Sequence, residues 1–364
     1  MVFLIKALQL ILSLSILVLI HECGHFLFAR LFKTRVEKFY LFFNPWFSLF
    51  KWKKGDTTYG IGWLPVGGYV KIAGMIDESL DMEQLKKPAQ PWEFRSKPAY
   101  QRFLIMFGGV LSNFILALAI YSAILMIWGQ QYLSMKETKQ GIYCDSLALS
   151  VGLRNGDIIE KVGKHDVIKF NDVMLFLVVN DESTFTVKRD NSTINIVIPD
   201  SIKKKLLTSN GQTFITAFLP FYVDSVLPKT PALKAGLKKG DHIVSINGTI
   251  TPAFFDFVSL IQNYKSRMVN VGVIRNGRDT SFMMTVTDKG QIGVAVMGYD
   301  KIYKFTKVEY SFFESIPAGI SLGIETLGSY IKQMKYLFTA EGAQSVGGFG
   351  SIGSLFPPRW AWEL

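Results

Sequence analysis

From Val2 to Phe32 the chain is almost wholly apolar, and within that run stands His21-Glu22-Cys23-Gly24-His25. Lys6, Gln9 and two serines are the main interruptions before His21. About 20 apolar residues cross a bilayer as a helix, so this stretch is long enough to span one. On a helix, residues i and i+4 share a face. Both imidazoles can then reach one metal ion, with Glu22 beside them as candidate general base. Packing alone would have to bury two histidines and a glutamate at membrane depth without evident partners, which is costly. The pattern points to a zinc site equipped for peptide hydrolysis inside a membrane.

A second apolar run, Phe103 to Trp128, carries no charge after Arg102 and predicts a second span. Gly108, Gly109 and Ser112 would let another helix approach closely. Asn113 lies in the middle of the run, where an unpaired amide is expensive. It is expected either to bond a neighbouring helix's backbone or to face the site and hold substrate. Hydrophobic residues make up 49% of the chain and charged residues 19%, so a membrane part and a wet part are both expected. No small-residue cleavage site follows the first apolar core, so that segment reads as a retained span and not a signal peptide. The formal net charge is +11, but the basic residues gather near the ends of the spans. A lipid bilayer explains them, and no nucleic-acid partner is expected. Their excess over residues 33–102 places that loop in the cytoplasm, with the segment after Trp128 on the opposite side.

Within the loop, Val36 to Trp52 and Tyr59 to Ile72 are rich in aromatic and β-branched residues around the turn Lys54-Gly55-Asp56. This predicts a β-hairpin, too aromatic to be fully solvated and so membrane-associated. Gly60, Gly62, Gly67 and Gly68 would permit close backbone approach, with Gly67 and Gly68 as candidates for holding an extended substrate segment. Further on, Ala148-Leu-Ser-Val-Gly152-Leu-Arg-Asn-Gly156-Asp157 recurs as Ala232-Leu-Lys-Ala-Gly236-Leu-Lys-Lys-Gly240-Asp241. Repetition at about 85 residues implies two copies of one domain. The order of short helix, glycine-bounded turn and strand is that of PDZ domains, which take up peptide ends by strand addition. His165 and His242 lack metal spacing and read as surface or packing residues, and Lys203 to Lys205 reads as a solvated linker. Phe312 to Phe338 has an amphipathic helical pattern, suited to lying on or against the membrane.

The expected organisation is a first transmembrane helix over 1–32, a cytoplasmic loop with the hairpin over 33–102 and a second helix over 103–128. PDZ domains follow over 129–210 and 211–300, then an amphipathic helix and glycine-rich loop over 301–364. The fold class is thus a multi-pass α-helical membrane protein with a membrane-associated β-hairpin and two α/β PDZ domains.

Taken together, His21-Glu22-x-x-His25, Tyr59 to Lys71, Gly109-x-x-x-Asn113 and the paired A-G-L-x-x-G-D turns resemble the site-2 protease family, in particular its bacterial members with tandem PDZ domains. The resemblance implies a Zn2+ enzyme of the bacterial inner membrane with periplasmic PDZ domains. It implies His21 and His25 as metal ligands and Glu22 as the catalytic base. Its substrates would be single transmembrane helices, of anti-sigma-factor-like proteins or signal-peptide remnants, cut after another protease has trimmed them. The family's third zinc ligand, an aspartate in an L-D-G motif on a later helix, has no counterpart before Leu364. The final Trp-Glu-Leu reads as entering a helix, so the chain is expected to continue into a further membrane segment. The alternative is a catalytically inactive membrane adaptor that binds exported protein tails through its PDZ domains.

Overall fold

The computed structural model describes residues 2–65, 67–75, 88–190, 192–208, 214–337 and 348–360. The predicted turn from Trp360 into another helix falls at 361–364, outside the described residues. The molecule divides into two units, one containing Met1–Trp128 with Tyr310–Leu327 and Val346–Leu364, the other Gly129–Glu309 with Gly328–Ser345.

In the first unit, an unbroken run of long aliphatic side chains forms α1 (Val2–Leu31). It ends where Lys33 takes a left-handed φ of 54° and the chain turns into a strand. The basic loop then folds as a sheet of β1 (Val36–Leu41), β2 (Phe50–Lys54), β3 (Thr57–Ile61) and β4 (Tyr69–Ile72). Its strand order is β2-β3-β1-β4. The turn at Gly55-Asp56 does join the antiparallel hairpin β2–β3. That hairpin is only half of the sheet, however, because β1 pairs parallel to β3 and antiparallel to β4. The predicted first arm, Val36 to Trp52, is broken between β1 and β2, where Phe42 and Trp46 take φ values of 68° and 71°.

The second apolar run forms α2 (Ala99–Trp128), beginning four residues before the predicted span. Both α1 and α2 are long and apolar enough to cross a membrane. Much of their aliphatic surface is exposed, including Leu4, Leu12, Val110 and Ile115, as expected of helices whose solvent is lipid. They meet at small residues. A Cβ on Gly24 would stand 2.2 Å from the Gly108 carbonyl oxygen, and one on Gly108 would stand 2.5 Å from the Phe28 ring. Backbone-to-backbone contact of this kind maximises dispersion where no hydrophobic drive separates helix from lipid.

The second unit holds the repeat. It begins with β5 (Gln130–Leu133). The first copy comprises β6 (Ile142–Cys144), α3 (Ser146–Ser150), β7 (Ile158–Val162), β8 (His165–Asp166), α4 (Asp172–Met174), β9 (Thr184–Arg189), β10 (Ser192–Val197), α5 (Asp200–Thr208) and β11 (Ile215–Ala217). The second comprises β12 (Val223–Val226), α6 (Pro231–Ala235), β13 (His242–Ile246), β14 (Thr249–Ile250), α7 (Phe254–Ile261), β15 (Met268–Arg275), β16 (Arg278–Thr285) and β17 (Val294–Val296). The two match element for element apart from α5. Their sheets run β10-β9-β7-β8 and β14-β13-β15-β16, with small pairs β11-β6 and β12-β17. After α8 (Tyr299–Ile302), β18 (Phe305–Val308) returns to pair with β5.

The repeated glycines and aspartates have one physical cause. Gly236 ends α6 at φ 88° and Gly240 turns at φ 88°; Gly152 and Gly156 take 96° and 91°. These turns bury Asp157 and Asp241, each 1% exposed. In the second copy the Arg275 guanidinium donates to both Asp241 oxygens at 2.7 Å and to the Gly236 carbonyl at 2.9 Å. Arg189 does the same for Asp157 and Gly152, at 2.7 to 2.8 Å. A buried carboxylate is tolerable only when paired this completely. Burial alone would raise the Asp241 carboxyl, but the Arg275 hydrogen bonds and charge, with the Lys238 amide, hold it below its ordinary range.

Lys203 departs from the solvated linker predicted for it. It sits in α5 at 4% exposure, paired with Asp181 at 2.9 Å and Asp200 at 2.8 Å. His165 and His242 are packing residues, stacked on Phe176 at 4.6 Å and Tyr222 at 4.3 Å.

The amphipathic segment forms α9 (Phe312–Leu337). In the first unit its Gly319 meets the Ser122 backbone of α2 closely enough to exclude a Cβ, and its Gly323 packs against Leu118. A short α10 (Phe349–Leu355) follows. Lys6 donates to the Ser354 carbonyl at 2.8 Å, which gives the one cation near the start of α1 a partner.

Candidate active site

His21, Glu22 and His25 lie in the C-terminal half of α1 and line one cavity of about 800 Å3, together with Gly68 and all four residues of β4. The i, i+4 spacing brings the two Nε2 atoms to 3.1 Å, with the rings edge-on at 77°. His25 Nδ1 lies 2.7 Å from the Ile105 carbonyl oxygen of α2. A carbonyl only accepts, so this contact puts the His25 proton on Nδ1 and leaves a lone pair on Nε2. Two tetrahedral zinc ligands at about 2.0–2.1 Å from the metal stand roughly 3.3 Å apart. The 3.1 Å separation and the imidazole donor set therefore suit a zinc ion.

The space for those imidazoles is made by Gly109. A Cβ there would lie 2.5 Å from Nε2 of both His21 and His25. Among the described residues no third His, Cys, Asp or Glu joins them in a metal-binding group.

The cavity wall opposite α1 is β4 and the β1–β2 connection. Tyr69 stacks on Tyr40 at 5.3 Å and on Phe43 at 5.9 Å, and its hydroxyl donates to Asn44 at 3.0 Å. Asn44 in turn donates to Ser48, which donates to Tyr40. Lys38 and Lys71 also face the cavity. Gly68 brings this wall against α1: a Cβ there would meet the Tyr40 carbonyl oxygen at 2.7 Å and Glu22 Cγ at 3.4 Å. Gly67, at φ 153°, adopts a backbone that favours glycine and stands beside Phe43.

Not every sequence candidate converges here. Asn113 does not line the cavity; it lies one turn beyond Gly109, with its Oδ1 buried and without a hydrogen-bond partner among the described residues. Gly60 and Gly62 admit the chain's own groups and not a substrate, because their missing Cβ positions are taken by the Tyr40 ring and the Phe43 carbonyl. Ile105 and Asn44 carried no sequence signal for the site, since each acts through a contact distant along the chain; Tyr69 lay within the stretch that carries the family resemblance but had no role of its own there.

The sequence matches that of peptidase family M50 over residues 9–355. It is 29% identical over 318 residues to a protein of Borreliella burgdorferi provisionally named zinc metalloprotease, covering 85% of this chain and 71% of that one. A Treponema pallidum protein with the same provisional name is 26% identical over 346 residues, covering 92% and 75%. Among solved structures, the PDZ domain of an SdrC-like protein from Listeria monocytogenes is similar to 24% of this chain and 98% of its own, at 23% identity and a TM-score of 0.21.

Proposed function

The chain belongs to peptidase family M50, the site-2 proteases, and is a zinc metalloprotease; we propose that it is embedded in a membrane and cuts single transmembrane helices at the cavity between α1 and β4. His21 and His25 hold the metal and Glu22 is the general base. The observation that carries this reading is the convergence of both Nε2 atoms at 3.1 Å beside Gly109, with His25 oriented by Ile105.

Zinc, when bound, supplies a Lewis acid and brings a water's pKa towards neutrality. The rest falls to the chain. A helical substrate hides its carbonyls in its own hydrogen bonds, so a segment must unwind before it is cut. The cavity accepts that segment along β4, where Gly67 and Gly68 bring the wall close to α1. Glu22 takes the proton of the attacking water and returns one to the leaving nitrogen.

Family and topology suggest substrates of the anti-sigma-factor or signal-peptide-remnant kind, already trimmed outside, in the bacterial inner membrane. The basic loop is cytoplasmic and the PDZ repeat periplasmic. The test uses the full chain in vesicles with a single-span model substrate. Glu22→Gln should lower cleavage by about 10²–10⁴-fold while zinc content stays at the wild-type level. His25→Ala should lose both. Cleavage by Glu22→Gln near the wild-type rate would remove Glu22 as base.

A further inference from the structure

A second cavity of about 560 Å3 lies at the C-terminal end of α1, lined by Arg30, Lys33, Thr34, Arg35, Asp56 and Trp92. It shares no residue with the catalytic cavity. Three cations face one carboxylate there, and that carboxylate is only loosely engaged: Arg35 meets Asp56 at 3.3 Å, with both side chains substantially exposed. The lining has an excess of two positive charges.

Two buried groups point to a ligand. Thr34 is 2% exposed, and its hydroxyl has no hydrogen-bond partner among the described residues. The Arg35 Nε–H is likewise buried and unpartnered there. Leaving such donors unmade is costly unless something accepts from them. The guanidinium is also fixed in place: it lies 5.2 Å from the centre of the Trp92 ring, and the Arg35 amide donates to the Trp92 carbonyl at 2.9 Å. A preset guanidinium fork, a buried hydroxyl and two further cations form an acceptor-seeking, anion-selective cradle.

We propose that this cavity binds a phosphate group, and that its source is the headgroup of an anionic phospholipid. The cradle follows directly on the last turn of an apolar helix. Leu31 and Tyr100 are 66% and 61% exposed at that level, next to where acyl chains would run. Trp92, 39% exposed, has the amphipathic character of an interfacial residue. Bound there, the headgroup would fix the junction of α1 with β1, and so the end of the helix that carries His21 and His25. Lipid source and position rest on α1 spanning the membrane; the anion site itself does not.

The test is binding, read without proteolysis, so it fails or stands independently of the catalytic assignment. Full-length protein in nanodiscs of phosphatidylcholine is titrated with phosphatidylglycerol, and separately with inorganic phosphate, and bound ligand is counted by native mass spectrometry. Arg30 and Lys33 are exposed, so Arg30→Gln/Lys33→Gln should keep the fold and weaken binding by about thirtyfold, about fivefold per cation removed. Thr34→Val, close to isosteric, should weaken it with the charge unchanged. Saturable binding of one phosphatidylglycerol that responds to these variants supports the lipid site. Phosphate binding with the same dependence but no lipid binding keeps the anion site and overturns the lipid source. Binding of neither, or binding that all variants leave unchanged, overturns the proposal.

Discussion

Gly109→Ala is the smallest change that should empty the catalytic centre. The added methyl carbon would stand 2.5 Å from Nε2 of His21 and equally close to Nε2 of His25, where ordinary contact begins at 3.4 Å. About 0.9 Å must be found, either by pushing both imidazoles aside or by moving α2 off α1. Metal sites tolerate ligand displacements of only about 0.2 Å. Moving α2 away is also blocked as a cheap solution, because it would part the Gly24–Gly108 contact and draw Ile105 from His25 Nδ1. Loss of an orienting partner alone costs about 10–100-fold in metal affinity, so displacing two ligands should cost at least about 100-fold. Helix propensity works the other way: alanine favours α2 by about 1 kcal/mol over glycine. Loss of zinc therefore could not be put down to a weakened helix. The assay is zinc content of purified full-length protein under graded chelator, with cleavage of a single-span substrate alongside. Val110→Ala, one residue on and 54% exposed, serves as the control and should behave as wild type. If Gly109→Ala retains zinc at wild-type affinity and cleaves normally, the imidazoles are not held where this reasoning needs them.

Three further outcomes are expected. Arg275→Met leaves the Asp241 carboxylate buried without its partner and should destabilise the second repeat copy by about 2–3 kcal/mol, at or below the minimum of about 3 kcal/mol for a fully buried pair because Arg275 is partly exposed; unchanged hydrogen exchange in β13 and β15 would contradict it. Burial lowers the pKa of His242, so the neutral form is favoured in the folded state. Its stabilisation is complete above the ordinary value of 6.5 and is lost as pH falls through the lowered one. Protection of β13 should decline below pH 6.5, and His242→Phe should abolish that decline; the same slope in the variant would implicate another group. Cysteines introduced at the exposed positions Ser281 and Lys53 should label from outside intact cells at Ser281 only, and labelling at Lys53 would invert the assigned topology.

What could be read from the sequence was what depends on short spacing or on exact repetition. The i, i+4 histidines, the two apolar runs and the paired glycine–aspartate turns all fall in this class. Long-range consequences of the same residues were hidden. Gly109 was legible as a small residue at a helix contact, but its steric relation to His21 and His25 exists only once α2 is packed on α1. His25 meets Ile105 across 80 residues, and Asp157 and Asp241 meet their arginines across 32 and 34. The parallel pairing of β1 with β3 was missed because a hairpin signal is local and a parallel partner is not. Lys203 was misread because a basic run looks solvated until its carboxylates, one of them 22 residues back, are brought to it.

The contact between His25 and the Ile105 carbonyl also sets an order on biosynthesis. The ribosome makes α1 before α2 exists, and at that stage the Ile105 contact that places the His25 proton is missing. Only when α2 packs on α1, with Ile105 beside His25 Nδ1 and Gly109 beside both Nε2 atoms, is the His25 lone pair aimed into the site. On the proposed assignment, a chain in which α2 has not yet packed on α1 should therefore hold zinc less well than the packed one.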